Sequence, residues 1–133
     1  MYPTTARGAA AYRNTSVQSS SPLELVVLLY DGALRHLTAA RDGADRNDVA
    51  ARATGIGSAL AIVAELQTTL NLEDGGTIAS SLDNLYVYIT GRLLDASIKQ
   101  DMSGVDEALR LLKPLRDGWA QVAAAAPPTG TRP

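Results

Sequence analysis

His36 is the only histidine in the sequence, so any imidazole-dependent catalytic site must use it. A Ser/His/Asp hydrolase also requires a nucleophile elbow of the form Gly-x-Ser-x-Gly, and none lies near His36. A thiol nucleophile is excluded because the chain has no cysteine. His36 falls inside a segment predicted to be helical, which favours a helix-surface or groove-edge side chain over a catalytic one.

Closely spaced acidic residues and a glycine pair could indicate a metal or phosphate site. Asp42, Asp45 and Asp48 resemble part of a calcium loop, but the glycine and terminal glutamate required downstream are missing. A ferritin-like site would need Glu-x-x-His on two helices, and the sequence has no such pair. Gly75-Gly76 is not followed by Lys-Ser/Thr, so it predicts a tight turn between helices. We therefore expect no metal, no cofactor and no enzymatic activity.

The overall composition is typical of one small globular domain. The chain has 133 residues, of which 46% are hydrophobic and 20% charged. The net charge of -2 and the absence of a Lys/Arg cluster argue against a nucleic-acid partner. The N-terminus lacks the apolar region of a signal peptide, and no apolar run approaches the roughly 20 residues of a membrane span. We expect a cytoplasmic protein that does not insert into membranes.

Capping signals divide the sequence into four predicted helices. Ser21-Pro22-Leu23-Glu24 is typical of a capping box, and it predicts a first helix from 22 to about 41. The second is expected from 47–48 to about 70, the third from 75–77 to about 99, and the fourth from 103. Short connections indicate antiparallel neighbours. The prediction is an all-α, antiparallel four-helix bundle over residues 21–125, with a flexible N-terminal arm at 1–20 and a disordered tail at 126–133.

The first helix carries more apolar surface than one seam of a bundle can cover. At 100° per residue, Val26, Tyr30, Ala33 and Leu37 form one stripe that we assign to the core. A second apolar side is then formed by Leu25, Leu28, Leu29 and Gly32. The two stripes could be exchanged, because periodicity alone does not say which one faces inward.

The third helix repeats this pattern. Its predicted core stripe consists of Ile78, Leu82, Leu85, Ile89, Leu93 and Ala96. The opposite side is lined by Val87, Gly91, Leu94 and Ile98, with Tyr86 near the core edge and Tyr88 on the far side. Neighbouring helices could cover this additional apolar surface from both sides. Because two of four helices show it, we favour exposed apolar surface, which usually binds a partner such as an amphipathic helix.

Several motifs occur in the same order as in a known family. They are AYRNTSV, SSPLELVVLLYDGAL, AELQTTLNLEDGGTIASSLDNLYVYITGRLLDASIKQD and LLKPLRDGW, which together cover nearly the whole chain from Tyr12 to Trp119. The most specific set is Ser21-Pro22-x-Glu24-Leu25, Leu29-Tyr30-Asp31-Gly32-Ala33, Leu70-x-x-Glu73-x-Gly75-Gly76, Leu85-Tyr86-x-Tyr88 and Trp119. In these motifs the sequence resembles the flagellin export chaperone family, FliS.

The resemblance implies a cytoplasmic helical bundle that binds the C-terminal segment of flagellin. Such a chaperone prevents premature polymerisation and assists delivery to the flagellar type III export apparatus. The resemblance also implies contact with an export gate component, or regulation through an anti-sigma factor, as further roles. It assigns Tyr12 to an N-terminal tyrosine motif linked to partner binding and to covering the groove.

The predicted client-binding residues combine that motif with the surplus apolar sides: Tyr12, Leu25, Leu28, Leu29, Gly32, Val87, Tyr88, Leu94 and Ile98. The alternatives are a structural helical homodimer, whose apolar faces pair with themselves, and a regulatory adaptor without a flagellin client.

Overall fold

The computed structural model describes residues 21–125, which form four helices and no strand. We number them α1 (Pro22–Asp45), α2 (Val49–Thr68), α3 (Leu72–Lys99) and α4 (Ser103–Ala125). The predicted all-α four-helix architecture is confirmed. The predicted flexible arm and disordered tail lie outside the described residues.

Helix α1 starts at the predicted capping box. The Glu24 backbone N–H donates to Ser21 Oγ at 3.1 Å, and the Ser21 N–H donates to Glu24 Oε1 at 2.8 Å. Both bonds satisfy amide groups that have no partner inside the helix. The helix continues to Asp45 rather than ending near Arg41.

Helix α2 is capped by Asp48, whose Oδ1 accepts the Ala51 N–H at 3.0 Å. By length and composition alone, this helix is apolar enough to cross a membrane, contrary to our expectation from the sequence. That is weak evidence, because the core helix of a soluble bundle passes the same test. Ile56, Val63 and Leu66 of α2 lie in the hydrophobic core.

The four helices pack in a closed cycle. Helix α1 packs against α2 and α4, and α3 completes the cycle against the same two helices. Helices α1 and α3 therefore lie on a diagonal of the bundle. The α1–α2 contact is very close: a Cβ added at Gly55 would lie 2.5 Å from the His36 carbonyl oxygen. Only glycine fits there without displacing backbone.

The backbone of helix α3 is interrupted near its start. Gly76 has φ 56° and ψ -134°, a conformation that side chains with a Cβ rarely adopt. The glycine pair was predicted as a turn before the helix, but a helical turn from Leu72 precedes it. The break therefore separates this first turn from the remainder of α3.

Candidate partner-binding surfaces

One end of the bundle opens into an apolar cavity of about 490 Å³, which we call the end groove. All four helices or their connections contribute to its lining, which consists of Pro22, Leu23, Leu25, Val26, Thr69, Leu70, Asn71, Gly75, Ile78, Ala79, Leu82, Tyr86 and Trp119. The groove is large enough for several side chains of a partner helix.

Local sequence explains why the end groove stays open. Pro22 and the capping box fix the start of α1, while the break at Gly76 redirects the chain where α3 begins. Ile78, just after the break, is 73% exposed and lies in the groove wall. Its assignment to the core stripe was wrong, because its side chain is exposed while Ala79 and Leu82 of the same end of α3 are buried.

Two tyrosines meet behind the end groove. The hydroxyl oxygens of Tyr30 on α1 and Tyr86 on α3 lie 2.6 Å apart, across the diagonal of the bundle, and both side chains are buried. Burial is the main cause that raises the pKa of each hydroxyl. Both therefore remain neutral hydrogen-bonding groups at physiological pH.

A second apolar surface lies on the side of α3 facing away from the core. We call it the outer stripe; it consists of Val87, Gly91, Leu94 and Ile98 at helical spacing. Val87 is 57% and Ile98 77% exposed, so the predicted exposure of this side is confirmed. Tyr88 is also exposed, beside the stripe.

A polar cluster borders the outer stripe and joins α3 to α4. The Tyr88 hydroxyl donates to Glu107 Oε2 at 2.8 Å, and Arg92 Nε donates to Glu107 Oε1 at 2.6 Å. These two donors, Arg92 first, lower the pKa of the Glu107 carboxyl below its ordinary value. Glu107 therefore stays ionised and holds the tyrosine in place.

The second apolar side of α1 is only partly accessible to a partner. Leu29 and Gly32 are buried, so the prediction that they line an exposed side was wrong. Helix α1 has neighbours on both sides, and a Cβ added at Gly32 would lie 3.1 Å from Ile62 Cδ1 of α2. The alternative considered from the sequence was that neighbouring helices cover the apolar surface of α1 from both sides. This alternative is correct for Leu29 and Gly32.

Leu25 and Leu28 are half-buried and reach different surfaces. Leu25 lines the end groove. Leu28 lines a cavity of about 410 Å³, the α1/α4 groove, together with Glu24, Val27, Asp31, Arg116, Ala120, Ala123 and Ala124. In that groove Arg116 Nε donates to Asp31 Oδ1 at 2.7 Å. Tyr12, the remaining predicted site residue, lies outside the described residues.

The sequence prediction missed Leu23, Leu70, Ile78 and Trp119 as groove residues. Leu70 and Trp119 had been noted only as motif residues, and Ile78 as a member of a core stripe. The glycine pair Gly75-Gly76, which lies between Leu70 and Ile78 in the sequence, was the signal that could have located an open end of the bundle.

Within the described part of the chain, no group of three or more His, Asp or Glu side chains could hold a metal ion. The end groove and the outer stripe offer mostly apolar side chains, whereas the α1/α4 groove also carries the charged side chains of Glu24, Asp31 and Arg116. Such surfaces bind other apolar surfaces.

Comparison with known proteins identifies the family. The model of the family described as "Flagellar protein FliS" matches residues 5–126. The chain belongs to the FliS family. One FliS relative, "Flagellar secretion chaperone FliS" of Salmonella typhimurium, is 35% identical over 127 residues, covering 92% of this chain and 94% of its own length.

Two further FliS relatives are similar over at least three quarters of this chain. "Flagellar secretion chaperone FliSB" of Pseudomonas aeruginosa is 36% identical over 103 residues, covering 77% of this chain and 82% of its own. "Flagellar secretion chaperone FliS" of Bacillus subtilis is 31% identical over 111 residues, covering 84% of this chain and 82% of its own length. The FliS match therefore includes every described helix.

Proposed function

We propose that the chain is a cytoplasmic export chaperone that binds the C-terminal helical segment of flagellin. It prevents premature polymerisation of its client and assists delivery to the flagellar type III export apparatus. The naming of its FliS relatives as secretion chaperones supports the export role. The observation that carries client binding is the open, apolar end groove.

The mechanism is substitution of one apolar surface for another. Client helices that would pack against other flagellin subunits pack instead against the end groove, the outer stripe and the α1/α4 groove. Each apolar Å² removed from water contributes about 25 cal/mol, so several separate contacts can add up to a firm complex. Because the contacts are separate, they can open one after another during release.

The proposed client contacts are the residues predicted from the sequence, without the buried Leu29 and Gly32 and with two residues of the end groove added. They are Tyr12, Leu25, Leu28, Val87, Tyr88, Leu94 and Ile98, together with Ile78 and Trp119. Leu29 and Gly32 support these surfaces from the core instead of contacting the client. No catalytic step is required for this activity, and we propose none.

The test introduces a charge into the end groove. Ile78→Asp places an unpaired carboxylate against the client and should abolish binding of a flagellin C-terminal segment in calorimetry. The fold should persist, because Ile78 is exposed. Ser81→Asp, an exposed position one turn further along α3, is the matched control and should bind normally.

Normal client binding by Ile78→Asp would exclude the end groove as the binding site. Absence of binding by the unaltered protein would argue against the flagellin client itself. In that case analytical ultracentrifugation would test the homodimer alternative, because paired apolar faces would give twice the monomer mass.

A further inference from the structure

The two halves of α4 differ in how they pack against the bundle. The buried residues of this helix all lie before Pro114; they are Gly104, Val105, Ala108 and Leu112. Over the described residues 113–125 none is buried, although Leu115 and Trp119 pack partly buried against the core. We call residues 115–125 the distal half of α4. Because it has few buried contacts, it should open more readily than the rest of the fold.

Two residues weaken the helix where the distal half begins. Pro114 has no backbone N–H, so the helical hydrogen bond to the Arg110 carbonyl is missing. Gly118 follows one turn later, and a Cβ there would meet nothing within 4 Å, so close packing does not require this glycine. Glycine inside a helix makes other backbone conformations accessible. The sequence therefore favours a hinge between the packed first half of α4 and the distal half.

Among the described residues, two ion pairs join α4 to α1, one in each half of α4. Arg116 Nε donates to Asp31 Oδ1 at 2.7 Å, and Arg41 Nε lies 3.4 Å from Asp106 Oδ1. The two pairs are ten residues apart on both helices, as expected for antiparallel neighbours. Arg116 Nη1 also lies 3.5 Å from Asp117 Oδ1 of its own helix. The bond to Asp31 is thus the ion pair that ties the distal half to α1.

The distal half forms part of two of the proposed client surfaces. Trp119 lines the end groove, whereas Ala120, Ala123 and Ala124 line the α1/α4 groove. Arg116 and Trp119 are three residues apart and therefore neighbours on one side of the helix. A movement of the distal half away from α1 would change both grooves together.

We propose that Asp31 and Arg116 are positioning residues for client recognition, whose ion pair latches the distal half of α4, hinged at Pro114, onto α1. This inference rests on the proposed function of the two grooves. A partly exposed ion pair stabilises only weakly, so this latch keeps the distal half in place and still allows it to open. Client helices in the two grooves contact the closed distal half, and binding therefore shifts the equilibrium toward the closed state.

Hydrogen exchange of the free, full-length chain tests the latch. Arg116→Gln removes the cation, and glutamine has a helix propensity similar to that of arginine. The amides of 115–125 should exchange about two- to fivefold faster, as expected for the loss of a weak ion pair. The amides of 105–112 should keep their rates, because buried side chains hold that half of α4 in the core.

Arg41→Gln is the matched control. It makes the same substitution in the other α1–α4 ion pair, at a residue outside the proposed client contacts, and should leave the exchange of 115–125 unaltered. Asp31→Asn removes the latch from the α1 side and should give the same result as Arg116→Gln. Pro114→Ala supplies the missing backbone N–H and should slow the exchange of 115–125.

A saturating flagellin C-terminal segment tests the link between the distal half and the grooves. It should slow the exchange of 115–125 in the unaltered protein and in Arg116→Gln, because the bound client holds the distal half closed. Client binding that leaves the exchange of 115–125 unchanged would contradict the positioning role.

Unaltered exchange of 115–125 in both Arg116→Gln and Asp31→Asn would overturn the latch. If 105–112 exchanged faster to the same degree as 115–125, α4 would open as one unit and the hinge would be wrong. The measurements without client do not depend on flagellin, so they remain decisive even if the proposed function fails.

Discussion

Helix α4 forms ion pairs with side chains of both α1 and α3. Arg116 bonds Asp31 of α1 at 2.7 Å, and Glu107 bonds Arg92 of α3 at 2.6 Å. The side chains are partly exposed, and ion pairs at the surface contribute little to the stability of a fold. They orient α4 against its neighbours, while the apolar core supplies most of the stability.

His36 is predicted to make the stability depend on pH. Burial, and then the positive charge of Arg35, lower the pKa of His36 below its ordinary value of 6.5. The unfolded chain therefore binds a proton more readily than the folded one, and stability falls as the pH drops below about 6.5. Urea unfolding between about pH 7 and pH 5 should show this loss, since most carboxylates titrate lower.

His36→Gln is the comparison for that measurement. The variant lacks the titrating group and should lose less stability over the same interval. Equal slopes for the two proteins would show that another group is responsible.

At the scale of helices, the sequence predicted where a helix begins better than which side of that helix is buried. The caps at Ser21 and Asp48 depend on residues within one turn, so local patterns were sufficient. The faces of α1 depend on which helices pack beside it, which periodicity does not report. Leu29 was misassigned for this reason. The end groove was not predicted because it requires four chain segments that are distant in sequence.

The close approach of α1 and α2 predicts opposite effects for two glycines of the same helix. Gly55→Ala would place a Cβ 2.5 Å from the His36 carbonyl oxygen. The helices must move apart, at a cost of about 1–3 kcal/mol in the free energy of unfolding. A Cβ at Gly57 meets nothing within 4 Å, so Gly57→Ala should stabilise the helix by about 0.5–1 kcal/mol.

Chemical denaturation of the two variants and the unaltered protein measures the difference. If Gly55→Ala were as stable as Gly57→Ala, the contact between α1 and α2 at Gly55 would be looser than the 2.5 Å distance to the His36 carbonyl oxygen indicates.

At the scale of the whole molecule, three apolar surfaces on a small protein create a risk of self-association. We propose that the N-terminal arm, residues 1–20, shields the end groove through Tyr12 until the client displaces it. Ordering a chain costs about 1–2 kcal/mol per residue, so such cover would be marginal and easily displaced. Tyr12→Ala should therefore increase binding of a hydrophobic dye by the free protein and accelerate hydrogen exchange in α1.

Asn14→Ala, a polar change in the same arm, should leave both observables unaltered. If Tyr12→Ala also leaves dye binding, exchange and client affinity at their original values, the arm takes no part in covering the groove.

The first turn of α1 and a residue near the end of α4 border the end groove. Pro22 and Leu23 line it at the start of α1, and Trp119 lines it near the end of α4. A client segment fused to either terminus through a short flexible linker would therefore meet the groove at an effective concentration of the order of millimolar. The fusion would convert a weak or short-lived complex into an intramolecular one. The structure of such a fusion protein could be determined to show how each client helix is bound.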